Sequence, residues 1–459
     1  VTLGRCGGTV SLASGATQSG FGRTGTVDWI TTPKVTGDSP VTAVSGNGYF
    51  LNTSAGTITV NLPAGSAGDI VSFADYAETW QTSNVTVTPN GTDKIGGTND
   101  NAILSTQGQS VTWVYVDGTQ GWLNTMDSTS NVRASSFIAA TVSGACNTLT
   151  TTPCGDYKVA TFKNPGNFTV TCAGSPAGSD KVDYLVVAGG GGGANQHSGG
   201  AGAGGFRASF PSPAGVAPVS VQAYPIAVGG GGAATATGPS LNTQGSNGVN
   251  STFDTITSAG GGGGGSYPNT PASAGGSGGG GGSNTGSGGA GNTPAQSSPI
   301  SPVQGFNGSN GSTHTTGGGG GGGGAGATGG TSGGPGPAGA GGVGIQNNID
   351  GNNYYWAGGG GGGSHGCGGT GTGGPGGTGG GGGGGSNGGE AGNYTTGGTG
   401  GGTAINSGTP GGAMPNSPTS STGGGGGNHS GGGGGGSGSS GSTPGNGGSG
   451  IVILRYKFQ

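Results

Sequence analysis

The chain has 459 residues, of which 130 are glycine, and only 28% are hydrophobic, well below the roughly 45–50% of ordinary globular domains. Charged residues make up 6% and the formal net charge is -4, so the chain lacks the clustered Lys and Arg side chains that displace counterions from nucleic acid. No stretch of about 18 or more apolar residues is present, so we expect no membrane insertion and no nucleic-acid partner.

The first 126 residues are predicted to be β-structure in two parts. Residues 1–38 form an N-terminal segment in which Val1 to Arg23 resembles one coil of a fibre shaft and Thr24 to Asp38 is a connector. Residues 39–126 form an all-β module whose alternating strands are separated by turn signals such as Pro63-Ala64-Gly65 and Asp117-Gly118. This spacing predicts a small sandwich or meander, followed by a polar linker over residues 127–136.

Residues 137–459 are predicted to form one glycine-rich distal domain. Its β base consists of residues 137–187 and 451–459, and within it Tyr157–Phe162 and Phe168–Thr171 are expected to pair as a hairpin. Two strongly apolar strands, Val182–Val187 and Ile451–Leu454, bracket the polyglycine region 188–450. Since a flexible linker does not need matched strands at its two ends, this arrangement favours a folded region on a β base.

The glycine runs are compatible with three structures. Collagen requires Gly at every third position, and these runs do not keep that period. A flexible linker is the simplest alternative. Polyglycine II helices have three residues per turn and no internal hydrogen bonds, so a bundle of them can pair every N–H and C=O with neighbouring helices. The predicted fold class is therefore all-β, with small β-sandwich-like modules followed by a polyglycine II bundle.

Several segments resemble a known family. They are Gly155-Asp156-Tyr157-Lys158-Val159-Ala160-Thr161-Phe162, Gly166-Asn167-Phe168-Thr169-Val170, Val182-Asp183-Tyr184-Leu185-Val186-Val187-Ala188-Gly189-Gly190 and the terminal Gly450-Ile451-Val452-Ile453-Leu454-Arg455-Tyr456. Together they resemble the glycine-rich C-terminal domain of bacteriophage tail-fibre and receptor-binding proteins, especially those of marine T4-like phages and cyanophages. The upstream segment from Gly46 to Trp122 resembles a β module that often precedes that domain.

The resemblance implies an extracellular virion appendage, either a tail fibre or a tip adhesin, that recognises the host cell surface. The partners that it implies are a host surface glycan or outer-membrane protein and other virion proteins, with the chain itself forming a homotrimer. The alternative is a structural glycine-rich protein that forms or decorates an extracellular filament or capsid without binding a receptor.

Aromatic residues between the glycine runs are the candidate receptor contacts, since Tyr and Trp give large amphipathic contact area. The densest cluster is Tyr354-Tyr355-Trp356, which equally fits a plug that caps the glycine region. Isolated aromatics between other runs, for which a structural role is the alternative, complete the set: Tyr267, Phe306 and Tyr394. Because no Lys or Arg lies between residues 208 and 454, contact should depend on stacking and neutral hydrogen bonds.

Cysteine and histidine spacing predicts no metal site and no cofactor. A disulfide among Cys146, Cys154 and Cys172 is one interpretation, and free buried thiols are the other. His365 and Cys367 are two residues apart, but two potential ligands do not make a metal site.

Enzymatic activity is not expected. The only charged residues between Arg207 and Arg455 are Asp254, Asp350 and Glu390, and no motif places them as a catalytic carboxylate pair.

Overall fold

The computed structural model shows a nearly all-β protein, as the sequence predicted. It describes residues 27–128, 137–152, 155–175, 178–211, 217–237, 243–313, 317–333, 337–366, 371–388, 396–413 and 421–459. The chain divides into two compact units, Val1–Ala134 and Ser135–Gln459. Val1 to Arg23, which we compared with a shaft coil, lies outside the described residues.

The described part of the first unit, residues 27–128, contains nine strands and one short 3₁₀ turn, Thr36–Asp38. The strands are β1 (Asp28–Val35), β2 (Val41–Thr42), β3 (Asn47–Asn52), β4 (Ile58–Asn61), β5 (Ile70–Asp75), β6 (Val85–Thr88), β7 (Ala102–Leu104), β8 (Ser110–Asp117) and β9 (Gly121–Ser128). They form two sheets with the orders β1-β3-β5-β8-β9 and β2-β4-β6-β7.

The chain alternates between these two sheets, so of the two predicted arrangements the module is a sandwich and not a meander. Strands β1, β3 and β5 pair in parallel, and so do β2, β4 and β6. The segment after Pro63 therefore crosses to the other sheet instead of closing a hairpin. Among the described strands of this unit, antiparallel pairing is confined to the later pairs β5–β8, β6–β7 and β8–β9. Strand β1 lies within the predicted connector, Thr24 to Asp38. Since it pairs with β3, it belongs to the first of the two sheets.

The core of the first unit lies between its two sheets. Trp80, Trp122 and Phe73 are fully buried there, and the indole N–H of Trp80 donates to the backbone oxygen of Leu51 at 3.3 Å. The alternating pattern of each strand thus supplies one apolar face to a shared interior.

The β base of the second unit is a pair of packed sheets. Their strands are β10 (Ile138–Val142), β11 (Thr148–Thr151), β12 (Tyr157–Phe162), β13 (Gly166–Ala173), β14 (Lys181–Val187), β15 (Phe206–Ala208), β16 (Ala217–Pro218), β17 (Ala223–Ala227), β18 (Ser251–Phe253), β19 (Ile256–Ser258) and β24 (Ile451–Lys457). The orders are β10-β13-β17-β18-β19 and β11-β12-β24-β14-β15, with β16 paired to β14.

The predicted hairpin of β12 and β13 is wrong. These strands belong to different sheets, and Phe162 and Phe168 are both buried in the core that the two sheets share. Strand β12 pairs with β11 and β24, and β13 pairs with β10 and β17. The two bracketing apolar strands, β14 and β24, are antiparallel neighbours, with Val187 opposite Ile451.

The glycine runs fold into a block in which each pass of the chain binds several others. Gly189 and Gly192 donate to the backbone oxygens of Val249 and Ser246, whereas Gly190 and Gly193 donate to those of Gly448 and Gly445, all at 2.8–3.0 Å. Gly191 donates to Gly202 of a third pass at 2.9 Å. Residues three apart therefore share a partner segment, as a helix with three residues per turn requires.

Close approach between passes leaves no room for a side chain at many of the glycines inside the block. A Cβ atom added at Gly191 or Gly320 would overlap the carbonyl oxygen of a neighbouring pass.

Four short strands extend from the passes: β20 (Ile345–Asn347), β21 (Tyr354–Trp356), β22 (Ser364–Gly366) and β23 (Ser386–Gly388). The predicted polyglycine II bundle thus packs against the β base, where Leu185 and Ile453 share a core with Trp356.

Candidate functional site

The passes of the glycine block run between two ends. One end, here called the proximal end, adjoins strands β14, β15 and β24. The other, the distal end, includes the turns 195–198, 267–270, 283–285 and 438–442 and strand β22. A pass of about seven residues at roughly 3.1 Å per residue separates the two ends by about 20 Å.

Hydrogen bonds join the distal turns to one another. The backbone N–H groups of Tyr267 and Ser283 donate to the backbone oxygens of Gln196 and His197, each at 3.0 Å. The N–H of Gln196 in turn donates to the hydroxyl oxygen of Ser437 at 3.1 Å. Turns that are far apart in sequence therefore form one continuous surface.

One aromatic group lies at the centre of this surface. The rings of His197 and His365 meet edge to face with centroids 4.3 Å apart, and Tyr267 packs on His197 with centroids 5.8 Å apart. His197 is buried, whereas Tyr267 and His365 are half-buried. Tyr267 is thus held by its backbone and by its ring while part of the side chain stays accessible.

The distal turns carry no formal charge at neutral pH. Burial lowers the pKa of His197 to about 3, and the neighbouring His365 acts in the same direction. Burial also lowers the pKa of His365. Both imidazoles are therefore neutral, and the four distal turns contain no Asp, Glu, Lys or Arg.

Buried polar atoms without partners also occur at the distal end. The side-chain oxygen of Gln196, Nδ1 of His197 and the hydroxyl of Ser283 have no hydrogen-bond partner within the described residues. Unpaired buried polar atoms are uncommon and often mark places where function has outweighed stability. Their concentration in adjacent turns distinguishes this end of the block.

The predicted cluster of Tyr354, Tyr355 and Trp356 lies at the proximal end instead. Trp356 is fully buried, and its indole N–H donates to the backbone oxygen of Asn347 at 3.1 Å. A receptor contact through Trp356 is therefore wrong, because its ring fills the core between the block and the β base. The position of Trp356 instead fits the alternative interpretation, in which the cluster is a plug that caps the glycine region.

The other candidate aromatics are distributed over the molecule. Tyr354 and Tyr355 are half-buried, and Tyr354 packs edge to face on Trp356 with centroids 5.9 Å apart. Phe306 is half-buried near the proximal end of its pass, where its N–H donates to Gly324. Tyr394 lies outside the described residues. Among the described candidates, Tyr267 is the one placed in the distal turns.

Sequence reasoning missed His197. It precedes Tyr267 by 70 residues and His365 by 168, and no motif links the three. Their proximity results from the order in which the glycine passes pack, which identical glycine runs do not encode locally.

Within the described residues the cysteines do not form the disulfide that was one of the two interpretations of the sequence. Cys146 and Cys172 are free and exposed, so they are neither joined to each other nor the buried thiols of the alternative interpretation. Strands β11 and β12 lie between Cys146 and Cys172 along the chain, and Cys172 is an exposed residue of β13. Cys154 and Cys367 lie outside the described residues.

The described residues contain neither a metal-binding cluster nor a membrane-spanning helix. No group of three or more His, Cys, Asp or Glu side chains in the described parts of the chain is arranged to hold a metal ion. Nor do the described residues include a helix long and apolar enough to cross a membrane.

Comparison with known proteins identifies a family through a match that covers most of the glycine region. Curated proteins give no match to the chain. The model of a family described as a glycine-rich domain matches residues 162–413, which is more than half of the chain and includes most passes of the block. The chain therefore belongs to the glycine-rich domain family.

Proposed function

We propose that this protein is a bacteriophage virion appendage, a tail fibre or tip adhesin, that recognises the host cell surface through the distal end of its glycine block. The observation that carries the proposal is the joining of four turns, distant in sequence and without charged residues, into one surface at the end of the block opposite its β base.

The physical properties of the block suit this role. Its passes are cross-linked by backbone hydrogen bonds in several directions, so the distal turns rest on a stiff support. A rigid scaffold that carries variable loops is a common way to present a recognition surface. Tyr267 supplies an amphipathic ring, and the surrounding Asn, Ser and Thr side chains supply neutral hydrogen-bonding groups.

The proposed partner is a host surface glycan or outer-membrane protein, contacted outside the cell. The resemblance of the β14 and β24 segments to phage receptor-binding proteins supports this choice. A homotrimer that associates with other virion proteins completes the proposal, which involves no catalytic step.

A binding assay with purified full-length protein and a panel of marine bacteria tests the proposal. We expect fluorescently labelled protein to bind particular strains, and the Tyr267→Ser variant to bind them at least about tenfold more weakly. Tyr355→Ser is the matched control, because Tyr355 is also half-buried but lies at the proximal end.

Two further measurements complete the test. Binding should change little between low and moderate salt, since no charged side chain lies in the distal turns. Antibodies against the chain should label the fibres or tail tips of virus particles in electron micrographs. Equal binding by the two variants would reject the distal surface, and labelling along filaments without cell binding would support the structural alternative.

A further inference from the structure

Arg207 is an isolated positive charge at the proximal end of the glycine block. It lies on strand β15 and is the only Lys or Arg between Lys181 and Arg455. Its Nε and Nη1 atoms donate to the backbone oxygens of Ser297 and Thr257 at 3.1 and 3.2 Å. Within the described residues no carboxylate lies within salt-bridge distance of it. Because a guanidinium has five N–H donors, three remain for another partner.

The loop beside Arg207 is held firmly in place. The side-chain oxygen of Asn292 accepts hydrogen bonds from the backbone N–H groups of Gln296 and Gln304 at 2.9 and 3.2 Å. The fully buried Gln304 side chain accepts from Ala259 at 2.8 Å and donates to the backbone oxygen of Pro294 at 2.6 Å. The loop therefore offers a preformed wall, which lowers the entropic cost of binding.

Arg207 and this loop enclose an open cavity of about 330 Å³. Its lining consists of Arg207, Asn292, Ala295, Gln296, Ser297 and Pro302. The amide nitrogen of Asn292, the side-chain amide of Gln296 and the hydroxyl of Ser297 have no hydrogen-bond partner among the described residues, so they can serve a ligand. This volume lies at the lower end of the range of small-molecule sites. None of the lining residues is aromatic, so the cavity offers no ring on which a ligand could stack.

We propose that this cavity binds the carboxylate of an acidic sugar, with Arg207 as its charged donor. A carboxylate accepts two parallel N–H bonds from a guanidinium, and the neighbouring amides and hydroxyl can bond the ring hydroxyls. One unpaired cation balances the single charge of a carboxylate, whereas a phosphate monoester carries about -1.5 to -2. The site lies at the opposite end of the block from Tyr267 and does not depend on the proposed receptor surface.

Calorimetric titration of the full chain tests this inference with three defined probes: trigalacturonic acid, the neutral maltotriose and glucose 6-phosphate. We expect trigalacturonic acid to bind, with an affinity that falls as salt is raised toward 0.15 M because the contact is charged. Maltotriose should show no binding. Binding of maltotriose with equal affinity, or tighter binding of glucose 6-phosphate, would overturn the assignment.

Two variants locate the site. Arg207→Gln removes the charge and should weaken trigalacturonic acid binding by about tenfold or more, but it also loses hydrogen bonds to the loop. Ser297→Glu keeps the backbone oxygen that Arg207 binds. It also places a carboxylate in the cavity, which should repel trigalacturonic acid and weaken its binding by about tenfold or more.

The control variant is Thr148→Glu, which adds the same charge on β11, at the opposite edge of the sheet from β15. It should bind trigalacturonic acid like the unmodified protein, as should Tyr267→Ser. Unchanged binding by Ser297→Glu would reject the cavity as the site. Loss of cell binding in Tyr267→Ser with retained trigalacturonic acid binding would show that the two surfaces act separately.

Discussion

The substitution Gly320→Ala tests whether the glycine block depends on close approach between backbones. Gly320 lies inside the run 317–324, donates to the backbone oxygen of Gly281 at 2.9 Å and accepts from the N–H of Gly200 at 3.0 Å. A Cβ atom at this position would overlap the carbonyl oxygen of Ser309 and lie 2.6 Å from that of Asn310. The neighbouring pass would have to move away, and both hydrogen bonds of Gly320 would be strained or lost.

The magnitude follows from these two bonds. Leaving a buried backbone donor or acceptor unpaired costs about 1–3 kcal/mol, so the variant should lose roughly 2–6 kcal/mol. This is a large fraction of the roughly 5–15 kcal/mol that stabilises a typical domain. Thermal unfolding followed by calorimetry should show the melting temperature of the second unit lowered by on the order of 10 °C.

Gly230→Ala is the matched control. Gly230 also lies within a glycine run, but a Cβ atom there meets no other atom within 4 Å. The change should be neutral or stabilise the protein by about 0.4–1 kcal/mol, because alanine restricts the unfolded chain. Equal destabilisation by both substitutions, or by neither, would refute a block held together by backbone packing. Ser309, whose carbonyl oxygen the added Cβ at position 320 would meet, is a buried residue within a pass, and its backbone N–H donates to the backbone oxygen of Gly321.

Three further predictions concern side chains. Trp356→Ala should destabilise the protein by about 3–5 kcal/mol, because it empties a buried site and leaves the backbone oxygen of Asn347 without its donor; urea unfolding measures this. His197 has a pKa of about 3 in the folded protein, so the unfolded chain alone takes up its proton as the pH falls below about 6.5. The free energy of unfolding should therefore decrease from about pH 6.5 toward pH 3, and the His197→Gln variant should lack this part of the decrease. Cys146 and Cys172 are exposed and free, so both should react with a maleimide without denaturant, as mass spectrometry can show.

Each of these results has an outcome that contradicts it. A Trp356→Ala protein with unchanged urea midpoint would place the indole at the surface. Identical pH dependence of unfolding in His197→Gln and the unmodified protein would mean that the imidazole is not buried in the neutral form. Maleimide labelling of Cys146 or Cys172 only after unfolding would show that the thiol is covered in the native protein.

The sequence by itself determined the fold class and the nature of the glycine region. Alternating β-branched residues specify strands, because each strand then has one apolar face. Long glycine runs can satisfy their backbone groups only through other segments, and the apolar strands β14 and β24 mark where those segments start and end. These properties are local or compositional, so they can be read without knowing which segments are neighbours.

Only the tertiary structure decided which segments meet. Alternation assigns the faces of β3, β12 and β13 but not their partners, so parallel stacking in the first unit and the separation of β12 from β13 were not predictable. Every residue of a glycine run offers the same N–H and C=O groups, and the choice of partner for each depends on how all passes pack together. That packing placed Trp356 in the core and brought His197 and Tyr267 to the distal end.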